Sequence, residues 1–306
     1  MNAVSCRTCG HPAICTDAFC EACGNPLLTA TAARAEQVSG SAAAVSDIGL
    51  RRERNEDAFA LSSSADRASV VVCDGVASTP SAGSAAALTA RTSLATLTAG
   101  LASGVRSPVE LAALMRSSLS LAHTVVSELS RSDAPGILVD PADPRDGSPS
   151  TTCVAAVAVG TTVLVTGIGD SRAYWVPAGG QEQLLTVDDT EPGAVLAPQP
   201  TSAGRSTVLT RHLTRWVGAD DPGGPQRVNL LEVASPGVLV LCTDGLWQYF
   251  DRPGDLAALI GPQPVERDDG LAVARRLVAG ALAAGGGDNI TAAVLALGPP
   301  TPADGS

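Results

Sequence analysis

The sequence predicts an α+β fold in which antiparallel sheets are covered by helices, and two observations lead to it. Short Val-rich runs typical of buried strands follow one another in close pairs, as at 152–159 and 162–168. Long Ala-rich or amphipathic segments typical of helices stand apart from those pairs and do not alternate strictly with them. This grouping favours layered antiparallel sheets over a doubly wound parallel sheet.

The elements follow from local patterns. Strands are predicted at 69–73, 152–159, 162–168, 238–242 and 290–297. An Ala-rich helix is predicted over 81–101. A second helix begins at Ser107, because Ser107-Pro108-Val109-Glu110 is a capping box with proline at the first helical position. A third runs from about residue 269 to residue 284 and ends at three consecutive glycines.

Changes of composition divide the 306 residues into four parts. Residues 1–28 are rich in cysteine and turn-forming residues. Residues 29–44 contain mostly Ala, Ser and Thr without apolar periodicity, which predicts a flexible linker. The pattern of strands and helices occupies residues 45–298, and the tail 299–306 is predicted to be disordered.

Charge and cysteine placement limit the partners and the compartment. A net charge of −11 argues against nucleic acid and anionic membranes as partners. The amino-terminal residues lack the pattern of a signal peptide, and the longest nearly uncharged stretch, 151–168, is interrupted as a hairpin would be. Five of the eight cysteines fall within the first 23 residues, unlike a disulfide framework. We therefore expect a cytoplasmic protein.

The cysteine-rich start contains two C-x-x-C knuckles separated by ten residues. Four thiolates at such spacing can close a tetrahedral structural zinc site. We expect a short zinc ribbon over residues 1–28 that holds one Zn²⁺ and binds a protein partner of unknown identity. Incidental thiols are the alternative, and His11 is a conceivable replacement ligand. The predicted zinc ligands are Cys6, Cys9, Cys20 and Cys23.

Acidic residues recur at predicted strand ends, usually beside glycine. They are Glu56-Asp57, Asp74-Gly75, Gly169-Asp170, Asp244-Gly245 and Asp288-Asn289. One such Asp is more often a turn residue than a ligand, but strands lying side by side would bring all five segments together. Carboxylates packed so closely repel each other, and Mg²⁺ or Mn²⁺ would remove that repulsion. Arg52 either clamps a phosphate near these acids or only balances their charge.

Taken in order, these segments resemble the protein phosphatase type 2C family of metal-dependent phosphatases over residues 45–298. The first resembles D-x-G-x-x-R-x-x-N-E-D, at 47–57 of this chain. The others resemble the family's D-G, G-D-S-R, S/T-D-G-L/I-W and D-N motifs, at 74–75, 169–172, 243–247 and 288–289. The resemblance implies two packed antiparallel sheets flanked by helices, an α-β-β-α sandwich with a binuclear metal site at one end.

The resemblance also implies a role for each site residue. Asp74 would bridge two Mn²⁺ or Mg²⁺ ions, Glu56 and the Gly75 carbonyl would complete the ligands of one ion, and Asp244 and Asp288 would hold the other. Asp57 would orient a metal-bound water, Asp170 would contribute to a third, weaker metal site, and Arg52 would bind the substrate phosphate.

The implied reaction is hydrolysis of phosphoserine or phosphothreonine in another protein, a target of a Ser/Thr kinase, by a metal-bridging hydroxide. The chain departs from the family at Val76-Ala77-Ser78, where glycines are common and where many members carry His after D-G, and at Gln248, where Asp is common. The segment 188–210 corresponds to the family's variable flap. A phosphoprotein-binding scaffold without turnover and a phosphatase for small phosphoesters are the alternatives.

Overall fold

The computed structural model describes residues 3–5, 11–14, 22, 33–64, 66–129, 147–195, 199–201, 204–206 and 209–298. The strands are β1 (Ala3–Ser5), β2 (Pro12–Ile14), β3 (Arg34–Ser39), β4 (Ala42–Asp47), β5 (Asp57–Ser63), β6 (Arg67–Asp74), β7 (Cys153–Val159), β8 (Thr162–Ile168), β9 (Arg172–Pro177), β10 (Gln183–Leu184), β11 (Thr190–Val195), β12 (Gln199–Thr201), β13 (Gly204–Ser206), β14 (Leu209–Leu213), β15 (Val228–Glu232), β16 (Gly237–Cys242) and β17 (Ile290–Leu297). The helices are α1 (Ala82–Ala102), α2 (Pro108–Leu129), α3 (Asp244–Trp247), α4 (Asp255–Ile260) and α5 (Gly270–Ala284), with a 3₁₀ turn at Arg267–Asp269.

Two antiparallel sheets dominate the fold. One has six strands in the order β10-β9-β16-β17-β4-β3, and the other has five in the order β15-β8-β7-β6-β5. Smaller two-stranded pairings join β1 with β2, β11 with β14, and β12 with β13. Acidic segments lie at the carboxyl ends of β6 and β16 and at the amino ends of β5 and β17. Because β5 pairs with β6 and β16 pairs with β17 in antiparallel fashion, these segments can meet at one end of the sheets.

The two sheets pack face to face, and helices cover their outer faces. Val70 and Val72 of β6 meet Leu239 and Leu241 of β16 in the layer between the sheets. Alternate residues point outward, because successive side chains of a strand lie on opposite faces. Those of the five-stranded sheet pack against α1 and α2, and those of the six-stranded sheet pack against α3, α4 and α5. The resulting α-β-β-α layering agrees with the expected fold.

The long helices agree with their local signals to within about two residues at each end. At the start of α2 the Glu110 carboxylate accepts hydrogen bonds from the Ser107 hydroxyl at 2.7 Å and from the Ser107 N–H at 3.2 Å. The Glu110 N–H in turn donates to the Ser107 hydroxyl at 3.3 Å. The predicted capping box is therefore present and fixes where the helix begins.

The structure differs from the linker expected over residues 29–44. Residues 34–39 and 42–47 form the paired strands β3 and β4, and β4 also pairs with β17. The short side chains of Ala42, Ala43 and Ala44 are buried, two of them between the sheets. An Ala-rich segment has little strand preference of its own, so its conformation here comes from neighbouring strands and burial. The six-stranded sheet accordingly includes residues from Arg34 onward.

The predicted zinc ligands Cys6, Cys9, Cys20 and Cys23 lie outside the described residues, as does the tail 299–306. Within residues 1–28 the structure describes the antiparallel pair β1–β2, with Ala3 opposite Ile14. Of the helices described, none is both long and apolar enough to cross a bilayer.

Candidate active site

Four aspartates from both sheets meet at one end of the sandwich. Asp57 opens β5 directly opposite Asp74, which closes β6. Asp244 begins α3 just after β16, and Asp288 lies two residues before β17, the neighbour of β16. Burial, together with the negative charges of Asp57, Asp244, Asp170 and Asp288, raises the pKa of Asp74 well above its ordinary value. The acids that are scattered through the sequence therefore act on one another electrostatically.

Asp57 is held by two threonines. Its Oδ2 accepts hydrogen bonds from the Thr291 hydroxyl at 2.7 Å and the Thr243 hydroxyl at 2.9 Å. Its Oδ1 is buried and, apart from the facing carboxyl of Asp74, finds no hydrogen-bond partner in the described part of the chain. Burial is the main cause that raises the pKa of Asp57 to about 7, with a further contribution from Asp288.

As in Asp57, only one of the two carboxylate oxygens of Asp244 accepts a hydrogen bond from a donor among the described residues. Its Oδ2 accepts a hydrogen bond from the Gln248 amide at 2.6 Å. Apart from the carboxyl of Asp74, its buried Oδ1 has no hydrogen-bond partner among the residues described. Burial and the charges of Asp288 and Asp57 raise the pKa of Asp244 to about 7. Two buried carboxylate oxygens, on Asp57 and Asp244, thus lack a hydrogen-bond donor.

Arg52 joins this cluster from its solvent side. Its guanidinium donates to Asp288 Oδ2 at 2.6 Å, and its side chain is 40% exposed. This bond is the main cause that raises the pKa of Arg52, and Asp244 and Asp74 add to it. The family resemblance implied that Arg52 binds the substrate phosphate, whereas the structure pairs it with one of the expected metal ligands.

Glu56 and Gly75 approach each other through their backbones. The Gly75 N–H donates to the Glu56 carbonyl at 3.2 Å. A Cβ on Gly75 would lie 2.7 Å from the Ala82 carbonyl carbon and 2.8 Å from the Glu56 oxygen, so glycine permits this close contact. The glycine of the Asp74-Gly75 pair therefore has a packing role beyond that of a turn residue.

Asp170 lies on a separate loop beside the cluster. Burial and the charges of Asp244 and Asp188 raise its pKa to about 7. The indole N–H of Trp247, on the helix that begins with Asp244, donates to the Asp170 carbonyl at 2.9 Å. Asp170 is thus close enough to Asp244 for their charges to interact, as a third, weaker metal site would require.

Several residues that hold the acids were not identified from the sequence. The Asn289 Oδ1 accepts from the Glu56 N–H at 2.7 Å, and its amide donates to the carbonyls of Ile48 and Arg54 at 2.9 Å. The Thr151 hydroxyl donates to the Asp74 carbonyl at 2.7 Å. Asn289 and Thr243 lie directly beside acidic residues in the family motifs, so the sequence could have indicated them as part of the site. Thr151 and Thr291 carried no comparable signal.

The donor set fits hard divalent cations. In the described residues, no three acidic, cysteine or histidine side chains already stand in a ligand arrangement around one point. The cationic Arg52 and the amide of Gln248 instead satisfy Asp288 and Asp244. Mg²⁺ or Mn²⁺, which prefer oxygen ligands, would pair with the buried oxygens of Asp57 and Asp244 and would relieve the repulsion that raises the pKa of Asp74.

Comparison with known proteins decides the family. The sequence profile described as "Protein phosphatase 2C" matches residues 51–272, well over half of the chain. The chain belongs to the protein phosphatase 2C family. It is therefore a phosphoprotein phosphatase by family, and the alternative of a phosphoprotein-binding scaffold is not favoured. Among proteins with curated functions, no sequence matches this 2C phosphatase significantly.

Solved structures share the fold of this 2C phosphatase. A bacterial serine phosphatase that carries an arginine-to-lysine mutation has a TM-score of 0.64 and 18% identity, over 86% of this chain and 99% of that chain. The S. agalactiae serine/threonine phosphatase has a TM-score of 0.60 and 21% identity, over 86% and 100%. The Mycobacterium tuberculosis serine/threonine phosphatase PstP/Ppp has 0.57 and 24%, over 84% and 98%.

Proposed function

We propose that this 2C phosphatase hydrolyses phosphoserine or phosphothreonine in proteins and depends on two Mn²⁺ or Mg²⁺ ions, with a third held more weakly. The convergence of Asp57, Asp74, Asp244 and Asp288 carries this proposal. Burial raises the pKa of three of these carboxyls, those of Asp57, Asp74 and Asp244, and buried carboxylates are costly unless they are neutralised or coordinate a cation.

The family resemblance assigns the residues that would hold the metals, and the cluster supports that assignment. Asp74 lies between Asp57 and Asp244 and is the candidate for a bridging ligand. Glu56 and the Gly75 carbonyl would complete one ion's ligands, and Asp244 with Asp288 would hold the second. Asp170 would hold the third. When bound, the cations supply a water of lowered pKa and neutralise charge on the phosphoryl oxygens.

Asp57 is suited to orienting the attacking water. Thr243 and Thr291 fix its Oδ2, so the carboxylate cannot rotate freely and its Oδ1 keeps one direction. This oxygen has no hydrogen-bond donor among the described residues, so it can accept a hydrogen bond from that water. The role of positioning the water therefore falls on one fixed oxygen.

Arg52 is suited to binding the phosphate once the metals occupy the site. Its guanidinium is partly exposed and now neutralises Asp288. A cation bound to Asp288 would release the guanidinium, which could then form paired hydrogen bonds to phosphoryl oxygens. Arg52 would accordingly exchange one anion for another between the metal-free and the metal-loaded states.

The substrate, the compartment and the zinc ribbon at residues 1–28 are also part of this proposal. The substrate would be a protein phosphorylated by a Ser/Thr kinase, in a reducing cytoplasm, where the buried thiols of Cys73, Cys153 and Cys242 stay free. Residues 1–28 would form a zinc ribbon with Cys6, Cys9, Cys20 and Cys23 as ligands and would bind a protein partner. The pairing of β1 with β2 is compatible with a ribbon built on a short hairpin.

Phosphate release from a phosphothreonine peptide tests the function. Wild type should release phosphate with Mn²⁺ or Mg²⁺ and stop when EDTA is added. Asp244→Asn should lose at least about 99% of this rate, since a metal ligand becomes a weaker neutral donor. Asp251→Asn, at an exposed position, is the matched control and should keep the wild-type rate. Equal activity in all three proteins, or activity in EDTA, would refute the proposal.

A further inference from the structure

The flap, expected at 188–210, corresponds in the structure to the segment 190–213 that β11 and β14 begin and end, and its two ends are tied to the loop that carries Asp170. The strands β11 and β14 of the flap pair with each other, so Thr190 lies opposite Leu213. Just before the flap, the Asp189 N–H donates to the Gly169 carbonyl at 2.9 Å, and the Gly169 N–H donates to Asp189 Oδ2 at 3.2 Å. Just after it, the Thr214 N–H donates to the Asp189 carbonyl at 2.8 Å.

Arg172 lies at the centre of this junction. Its guanidinium forms a two-point ion pair with Asp188, with Nε to Oδ1 at 2.9 Å and Nη2 to Oδ2 at 2.7 Å. Both side chains are only 11% exposed. The remaining Nη1 donates to the Tyr174 hydroxyl at 3.0 Å. All three guanidinium nitrogens are therefore engaged, and the direction of the group is fixed by planar contacts.

The same guanidinium stacks on the helix that begins at Asp244. Its central carbon lies 3.6 Å from the centroid of the Trp247 ring, at the carboxyl end of α3. The Trp247 indole N–H donates to the Asp170 carbonyl at 2.9 Å. The Arg172 side chain thus contacts Asp188, two residues before the flap, and the helix that begins at the predicted metal ligand Asp244. Through Trp247 it also reaches the loop of Asp170.

We infer that Arg172 is a positioning residue that ties the two ends of the flap, at 188–190 and 213–214, to the Asp170 loop and α3, and thereby supports the binding of phosphoprotein substrates. This inference rests on the proposed function for its consequence in substrate binding. The contacts of Arg172 with Asp188 and Trp247, on which it is based, do not depend on catalytic activity. A lysine at this position keeps the charge but cannot form two parallel bonds to Asp188 while stacking on Trp247.

Limited trypsin digestion of the metal-free protein tests the clamp directly. The flap contains the cleavage sites Arg205 and Arg211, whereas Arg91 and Arg116 lie in α1 and α2 and report global unfolding. Arg172→Lys should raise the rate of cleavage at the flap sites at least about fivefold relative to the helix sites, because loss of the clamp favours local opening. The matched control Arg275→Lys alters an Arg–carboxylate pair with Glu36, away from the flap, and should keep the wild-type ratio.

Steady-state kinetics with Mn²⁺ separates positioning from chemistry. Arg172→Lys should raise KM for a phosphothreonine peptide about fivefold and leave kcat within about twofold, since it would remove binding contacts and no reacting group. For p-nitrophenyl phosphate, which is too small to span the flap, KM should not change. If Arg172→Lys folds poorly, Asp188→Asn removes the other half of the pair and should give the same two results.

An unchanged tryptic ratio in both variants, or an equal loss of kcat on both substrates, would overturn the role of Arg172. If the wild type releases no phosphate with any divalent metal, the proposed function fails. The tryptic ratio still decides the clamp in that case, because it needs no turnover.

Discussion

Asp57 and Asp74 lie directly opposite each other at the site end of β5 and β6, and burial raises the pKa of both carboxyls. Like charges directly opposite on paired strands are destabilising. The Asp57 carboxylate is held there by Thr243 and Thr291, and the main chain of Asp74 by Thr151 and Thr152. The fold therefore maintains a repulsive pair that a divalent cation would convert into a stabilising one.

Asp74→Asn should stabilise the metal-free protein and abolish its response to metal. Removing one charge from the cluster relieves repulsion, by an amount on the order of 1 kcal/mol in the free energy of unfolding. Thermal unfolding in EDTA and in Mn²⁺ measures both effects. Wild type should gain stability from Mn²⁺ and Asp74→Asn should not, whereas Asp251→Asn should behave as wild type. A variant that keeps the Mn²⁺ response would contradict a bridging role for Asp74.

The metal-free protein should lose stability as pH rises from about 4 through 7. Asp57 and Asp244 have folded-state pKa values of about 7 against an ordinary value of 3.8, so between these values the folded state holds protons that the unfolded state releases. Urea unfolding in EDTA at pH 5.5 and pH 8 should give the smaller free energy of unfolding at pH 8. Excess Mn²⁺ should reverse that order. A metal-free protein that is more stable at pH 8 would count against the buried cluster.

Arg52→Ala should lower kcat/KM for a phosphopeptide on the order of 100-fold, because a charged donor to the phosphoryl oxygens is lost. Apparent Mn²⁺ affinity should hold or tighten, since Asp288 loses its competing ion-pair partner. The exposed neighbour provides a matched control, and Arg51→Ala should stay within about threefold of wild type, as surface charges contribute little. Weaker Mn²⁺ binding in Arg52→Ala would contradict the exchange of partners proposed for Arg52.

Thr243→Val should destabilise the protein by about 1–3 kcal/mol, because it removes a hydrogen bond to the buried Asp57 carboxylate at nearly constant volume. Loss of a donor to the ionised form also raises the pKa of Asp57 further, so the acid limb of the phosphatase pH profile should move to higher pH. The control Thr124→Val removes an exposed hydroxyl that bonds only the Ser120 carbonyl within α2. An unaltered pH profile in Thr243→Val would argue that Asp57 does not act at the rate-limiting step.

Local patterns in the sequence were sufficient to predict much of the framework. The two strands of the β7–β8 hairpin follow from two Val-rich runs that are neighbours in the sequence. The start of α2 follows from Ser107 and Glu110, which are three residues apart and form a hydrogen bond. The strand β3 and the first half of β4 were expected to be a linker, because the pairing that places β4 in the sheet involves β17, about 250 positions away. β5 and β9 likewise lacked a local pattern that identified them.

The sequence by itself determined which acids are present, their order along the chain, and hence the family resemblance and the preference for hard cations. Only the tertiary structure decided what surrounds them: that Arg52 neutralises Asp288, that Thr243 before α3 and Thr291 of β17 fix Asp57, and that Arg172 joins Asp188 to α3. The reason is physical. Residue chemistry is local and visible in sequence, whereas desolvation, charge repulsion and the choice among competing hydrogen-bond partners depend on distances that exist only in the folded chain.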